Sequence, residues 1–126
     1  MSEQVSRQAS VENLLRDMVT QGGFNGAVVA TGDGLPMAIV NVSDVDTKLI
    51  GAVAASLKDL AARAHQHLDE ICLRDKQGRL VVNRYFSITV PQGHYNLLLA
   101  VQVPEHKPYR RLINRAIKEI QQVWMA

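Results

Sequence analysis

The chain is poor in the residues that usually advertise chemistry or a membrane. It holds one cysteine, Cys72, one tryptophan and only 5% aromatic residues. A lone cysteine excludes an intrachain disulfide framework and any centre built from paired thiolate ligands, and it points to a reducing compartment. No window approaches the roughly 20 apolar residues of a membrane span, and the opening MSEQVSRQAS has no apolar core of the kind a leader carries. A soluble, cytoplasmic protein is therefore expected. Charge of one sign is also missing. The 14 Lys and Arg against 12 Asp and Glu leave a net +2 and a pI near 8.9, short of the concentrated positive field of a dedicated nucleic-acid binder. What the chain does have is apolar content. Its 126 residues, 47% hydrophobic, suffice for one domain that buries about two thirds of its unfolded surface.

Residues 1–9 are polar and unpatterned and are expected to form a flexible arm, leaving 10–126 as a single domain. Behind Ser10 as N-cap, Val11, Leu14, Leu15, Met18 and Val19 follow the spacing of one helix face, and Gly22 and Gly23 end it. The stretch FNGAVVATGDGLPMAIV then places Gly32 and Gly34 between two apolar runs. A phosphate-binding loop needs its glycines to lead into a helix N-terminus, usually with a lysine. Here Pro36 and β-prone residues follow, so TGDG reads as a hairpin turn using positive-φ glycines. Residues Asn25 to Ala30 are apolar on both faces and expected to be central, and Pro36 places the second strand at an edge.

Asp44 and Asp46 lead into the longest helical pattern, TKLIGAVAASLKDLAARAHQHL. Ile50, Val53, Ala54, Leu57, Leu60, Ala61, Ala64 and Leu68 form its core stripe; Ala52, Ala55, Ser56, Asp59, Ala62 and Gln66 form a second stripe of mostly small residues. EICLRD and RLVVNRYF flank a second hairpin, HYNLLLAVQV makes another strand, and Pro104 stops it. After Pro108, Tyr109, Leu112, Ile113, Ala116, Ile117, Ile120 and Trp124 give the last helix its inward stripe. The order α-β-β-α-β-β-β-α is dominated by hairpins, which calls for an antiparallel sheet covered by helices, an α+β domain.

Candidate catalytic groups do not converge. His65 and His67 lie two apart on a helix and cannot chelate as an i, i+4 pair would. His94 and His106 fall at opposite ends of a strand. Cys72 alternates with Ile71 and Leu73 and reads as a packing residue, while Asp33, Asp44, Asp46 and Asp75 suit turns and caps. No enzyme, metal or cofactor site is expected. The concentrated charge lies in HKPYRRLINRAIK, where Lys107, Arg110, Arg111, Arg115 and Lys118 meet no acid. That run is either a solvated helix face or a landing surface for an acidic protein.

Taken together, FNGAVVATGDGLPMA, the Ala-rich helix from Asp46, LDEICLRDKQGRLVVNRYF, and YNLLLAVQV before a terminal amphipathic helix resemble the roadblock family. This is the superfamily of the dynein light chain roadblock and of the bacterial gliding-motility protein that activates a Ras-like GTPase. The resemblance spans about Ser10 to Trp124. It implies a five-stranded antiparallel sheet, with the middle helix on one face and the terminal helices on the other. It also implies a homodimer in which sheets continue across subunits and the middle helices meet. The small residues Ala52, Ala55, Ser56 and Ala62 would let two helix backbones approach closely, although a plain Ala-rich exposed helix has the same composition. In activating relatives the GTPase rests across the middle helices, which carries over to Lys48, Lys58, Asp59, Arg63 and Gln66. The implied function is a non-catalytic regulator or partner of a small Ras-like GTPase, with stimulated GTP hydrolysis as its output. The alternative is an adaptor or scaffold subunit of a signalling or motor complex with no effect on turnover. No nucleic acid and no integral membrane segment enters either reading.

Overall fold

The computed structural model describes residues 3–33, 35–41, 55–56, 58–60, 62–63, 69–74, 76 and 78–125. An N-terminal helix, Glu3–Gly22, precedes β1 (Gly26–Thr31) and β2 (Pro36–Asn41). Residues 55–56, 58–60 and 62–63 are helical. Then come β3 (Glu70–Arg74), β4 (Leu80–Val90), β5 (Gly93–Val103) and a C-terminal helix, Arg110–Met125. The strands form one five-stranded sheet in the order β2-β1-β5-β4-β3, and every neighbouring pair is antiparallel. The α+β architecture is the expected one.

The middle of the sheet is held by β5 rather than β1. From Leu97 to Val103 every residue of β5 is buried, as a strand covered on both faces must be. β1 is inserted between β5 and β2, so it is interior but not central. β2 lies at the edge, where Pro36 can forgo a ladder bond, and the pairing slips between Val29 and Ala30 just as the chain reaches Pro36.

Side-chain alternation sorts the sheet into two faces. Ala27 and Val29 of β1, Ala38 and Val40 of β2, Val82 of β4, and Leu97, Leu99, Val101 and Val103 of β5 join a core with Val11, Leu15, Met18 and Val19 of the N-terminal helix. Ile113, Ala116, Ile117, Ile120 and Trp124 of the C-terminal helix complete it. Both terminal helices therefore cover one face. Tyr85 and Leu98, packed with Ile71, form a separate cluster on the other.

Two sequence expectations are corrected here. The N-terminal helix begins at Glu3, ahead of Ser10, so part of the expected arm is helical. Ser10 is no N-cap; its hydroxyl donates to the Ser6 carbonyl one turn back. The early turns are held from outside their own sequence, since the Arg7 guanidinium lies 4.9 Å from the centroid of the Trp124 ring. The far end of the helix does follow its glycines. Gly23 takes φ 66°, Phe24 N–H donates to Val19 C=O at 3.0 Å and Gly23 N–H to Thr20 C=O at 3.4 Å, the paired closure of a Schellman motif.

The second correction concerns the TGDG turn. The positive-φ glycines among the described residues are Gly23, Gly78 and Gly93, and Gly32 is not one of them; Gly34 lies outside the described residues. A Cβ at Gly32 would stand 3.4 Å from Asn96 Cβ, an ordinary contact, so neither backbone angle nor space demands glycine there. The turn amides are engaged in the sheet. Thr31 N–H donates to Leu35 C=O and Gly32 N–H to Asn96 C=O, both at 2.9 Å, and Leu35 N–H donates to Thr31 Oγ1 at 3.1 Å. A strand rather than a helix follows, so no helix N-terminus faces an anion there.

Candidate partner-binding surface

The described part of the middle helix lies over the sheet face left open by the terminal helices. Its anchor is Lys58, whose ammonium stands 5.2 Å from the centroid of the Tyr85 ring, within reach of a cation–π contact. Burial pushes the Tyr85 phenol above its ordinary value. Lys58 was expected to point outward with the partner-binding set; it is half-buried and turned to the sheet. The four-carbon stem crosses apolar surface and the charge finds a ring quadrupole.

Asp59 and Arg63 do face solvent. Their side chains are 65% and 74% exposed and pair at 3.0 Å across one helical turn. Such a pair contributes no more than about 0.5 kcal/mol to the fold, so its two charges remain available to a partner. Of the small stripe, Ser56 and Ala62 are exposed and Ala55 is half-buried. Ala52, Lys48 and Gln66 lie outside the described residues, as do His65 and His67.

Leu60 departs from the core stripe assigned from spacing, being 57% exposed. Its spacing from Ser56 and Arg63 places it on their face, an apolar side chain ringed by small and charged ones. The signal was present in the sequence as those polar neighbours. It was hidden because Leu57 and Ala61 continue an equally regular apolar spacing in the sequence.

Groups with catalytic potential stay apart. Thr89 Oγ1 and His94 Nδ1 pair across the β4–β5 hairpin at 2.8 Å. His106, at φ 66°, instead lies 3.4 Å from the Glu105 carboxylate. Among the described residues no three His, Cys, Asp or Glu side chains are grouped as a metal would need. Cys72, read above as a packing residue, is exposed on β3, because β3 is an edge strand with few neighbours. Its thiol is nevertheless raised above the ordinary value, first by desolvation and then by the Glu70 carboxylate, which lowers its thiolate fraction and its nucleophilicity at neutral pH. Alkylation of Cys72 by iodoacetamide should therefore accelerate only at a pH above that of an ordinary thiol; a midpoint near neutrality would mark an activated thiol. A cavity of about 790 Å³ opens between the N-terminal helix and the two hairpin tips, lined among others by Arg7, Asp33, Met37, His94, Tyr95 and Trp124. Its aromatic wall is the Tyr95–Trp124 pair, with centroids 6.4 Å apart.

An antiparallel five-stranded sheet, with two helices on one face and a third helical segment against the other, defines a class of small α+β scaffold. The chain belongs to the Roadblock/LC7 domain family, whose model matches residues 10–101. Among solved structures it is similar to MglB of Myxococcus xanthus, with TM-score 0.71 and 10% identity over 94% of this chain and 90% of that one. It is also similar to the gliding protein MglB of Thermus thermophilus, with TM-score 0.71 and 12% identity over 98% and 92%. The Roadblock/LC7 domain from Streptomyces avermitilis gives TM-score 0.65 and 16% identity over 90% and 94%. At these identities the likeness concerns the fold. The comparison with curated protein sequences finds no match. No helix among the described residues is long and apolar enough to cross a membrane.

Proposed function

We propose that this protein is a non-catalytic regulator of a small Ras-like GTPase and works as a homodimer. The observation that carries the reading is the family membership over residues 10–101, joined to a middle-helix segment on which Asp59 and Arg63 pair with each other and stay exposed. Ser56, Asp59, Leu60, Ala62 and Arg63 are exposed together, a small apolar centre with a charged rim of the kind that suits protein contact. Ala52, Ala55, Ser56 and Ala62 are the proposed meeting line of two middle helices. Lys48, Asp59, Arg63 and Gln66 are the proposed GTPase contacts, with Lys58 supporting the helix from below. Of the two sheet edges, β3 is the better candidate for joining a second sheet. β2 begins with Pro36 and a register slip, whereas β3 carries no proline and pairs only with β4.

Mixing the protein with a GTP-loaded small Ras-like GTPase and following single-turnover hydrolysis tests the output. Acceleration supports a regulator, while binding without acceleration supports the scaffold reading. Ala55→Arg, which crowds the proposed helix contact and brings a charge into it, should shift the protein from dimer to monomer in light scattering and abolish the acceleration. A wild-type protein that is monomeric at micromolar concentration would overturn the dimer.

A further inference from the structure

Among the described residues, bases cluster on one face of the C-terminal helix. Arg110, Arg111, Arg115 and Lys118 are all exposed, and they line one shallow depression of about 560 Å³ with Asn114. Lys107 precedes them on the approach to the helix. Over residues 105–119 these five cations meet two acids, Glu105 and Glu119, so the stretch carries +3 in a chain whose net charge is +2.

Neutral groups hold this surface in place. Arg115 donates to Gln21 Oε1 of the N-terminal helix, and Asn114 Oδ1 accepts from Arg84 of β4 at 2.7 Å. Among the described residues none of Arg110, Arg111, Arg115 and Lys118 lies within ion-pair distance of a carboxylate. Glu119 lies one turn beyond Arg115 on this helix and the Glu70 carboxylate acts on Arg110 from a distance, so the face is predominantly but not purely basic. Here Arg115 is positioned by an amide, which orients the guanidinium without cancelling its charge.

We infer that this depression is a second docking surface, for an acidic segment of a partner protein whose carboxylates are received by Arg110, Arg111, Arg115 and Lys118. Three guanidiniums against one ammonium favour planar, bidentate acceptors, and carboxylates supply them. A membrane fits less well. The lining of the depression contains no apolar side chain to enter the acyl boundary. The inference does not rest on the GTPase reading and uses a different helix.

The test is fluorescence anisotropy with a labelled Glu/Ser peptide, its Gln/Ser twin, and, in parallel, sedimentation with phosphatidylcholine vesicles containing phosphatidylglycerol. The acidic peptide should bind with an affinity that falls as salt rises, and the neutral twin should not. Arg111→Glu with Lys118→Glu should weaken binding by about tenfold or more. Both residues are exposed, and the milder Arg111→Gln with Lys118→Gln should give the same direction with an unchanged melting curve. Equal binding of the two peptides, an affinity that neither variant lowers, or capture by the vesicles without peptide binding would each overturn the inference.

Discussion

Replacing Trp124 with alanine should lower stability by about 3–5 kcal/mol and loosen the first turns of the N-terminal helix at the same time. Trp124 is 6% exposed within the main core, so truncation opens a large cavity beneath both terminal helices. Its ring also receives the Arg7 guanidinium at 4.9 Å and stands 6.4 Å from the Tyr95 ring at a tilt of 51°, a geometry that adds to plain burial. Between Glu3 and Ala9 only Val5 and Ala9 are apolar, so the Arg7–Trp124 contact is expected to help tie these turns down. Denaturant unfolding would measure the first effect. Amide exchange at residues 6–9 would measure the second, with Arg7→Gln as a control that should speed exchange while costing less than about 1 kcal/mol. A destabilised Trp124→Ala protein with unchanged exchange at those amides would show that the early turns are held by something else.

Asn83→Asp should be nearly as costly, about 3–5 kcal/mol at neutral pH. Asn83 is fully buried on the sheet face that carries Tyr85. Its amide nitrogen donates to Ile71 C=O on the edge strand β3 at 3.1 Å. Its Oδ1, like the Oε1 of buried Gln102, has no hydrogen-bond partner among the described residues. Aspartate removes the donor, aims an oxygen at a carbonyl, and buries a charge with nothing to neutralise it, so its pKa in the folded state must lie above the unfolded value near 3.9. The sign follows from linkage. The variant's disadvantage is small when the carboxyl is protonated in both states, grows as pH rises past about 3.9, and is complete once pH exceeds the raised folded value. Urea unfolding of both proteins at pH 7 and pH 5 checks this. A stability difference that stays constant between the two would mean that the carboxylate reaches solvent.

Interior expectations held for the terminal helices and the inner strands but failed for Leu60 and Cys72, and the reason is physical. Period-2 and period-3.6 patterns record burial summed over an element, so Val29, Leu99, Ile113 and Ile120 were legible as core without coordinates. The same holds for Gly22 and Gly23 as a helix end and Pro36 as an edge marker. Strand boundaries, which follow from pairing, were less exact. β4 runs on through SITV to Val90 because β5 is there to pair with it along its whole length.

By itself the sequence determined the element order, the antiparallel class and the faces of the terminal helices, since each depends on local periodicity and on backbone chemistry carried by glycine and proline. Only the tertiary structure decided that β5 would be the central strand, and that residues before Ser10 would be helical against Trp124. It also decided that Cys72 would be exposed on an edge, and that Lys58 would turn to Tyr85 while Leu60 turned to solvent. Each of these depends on a partner distant in the chain, and a one-dimensional pattern holds no record of which distant residue will supply it.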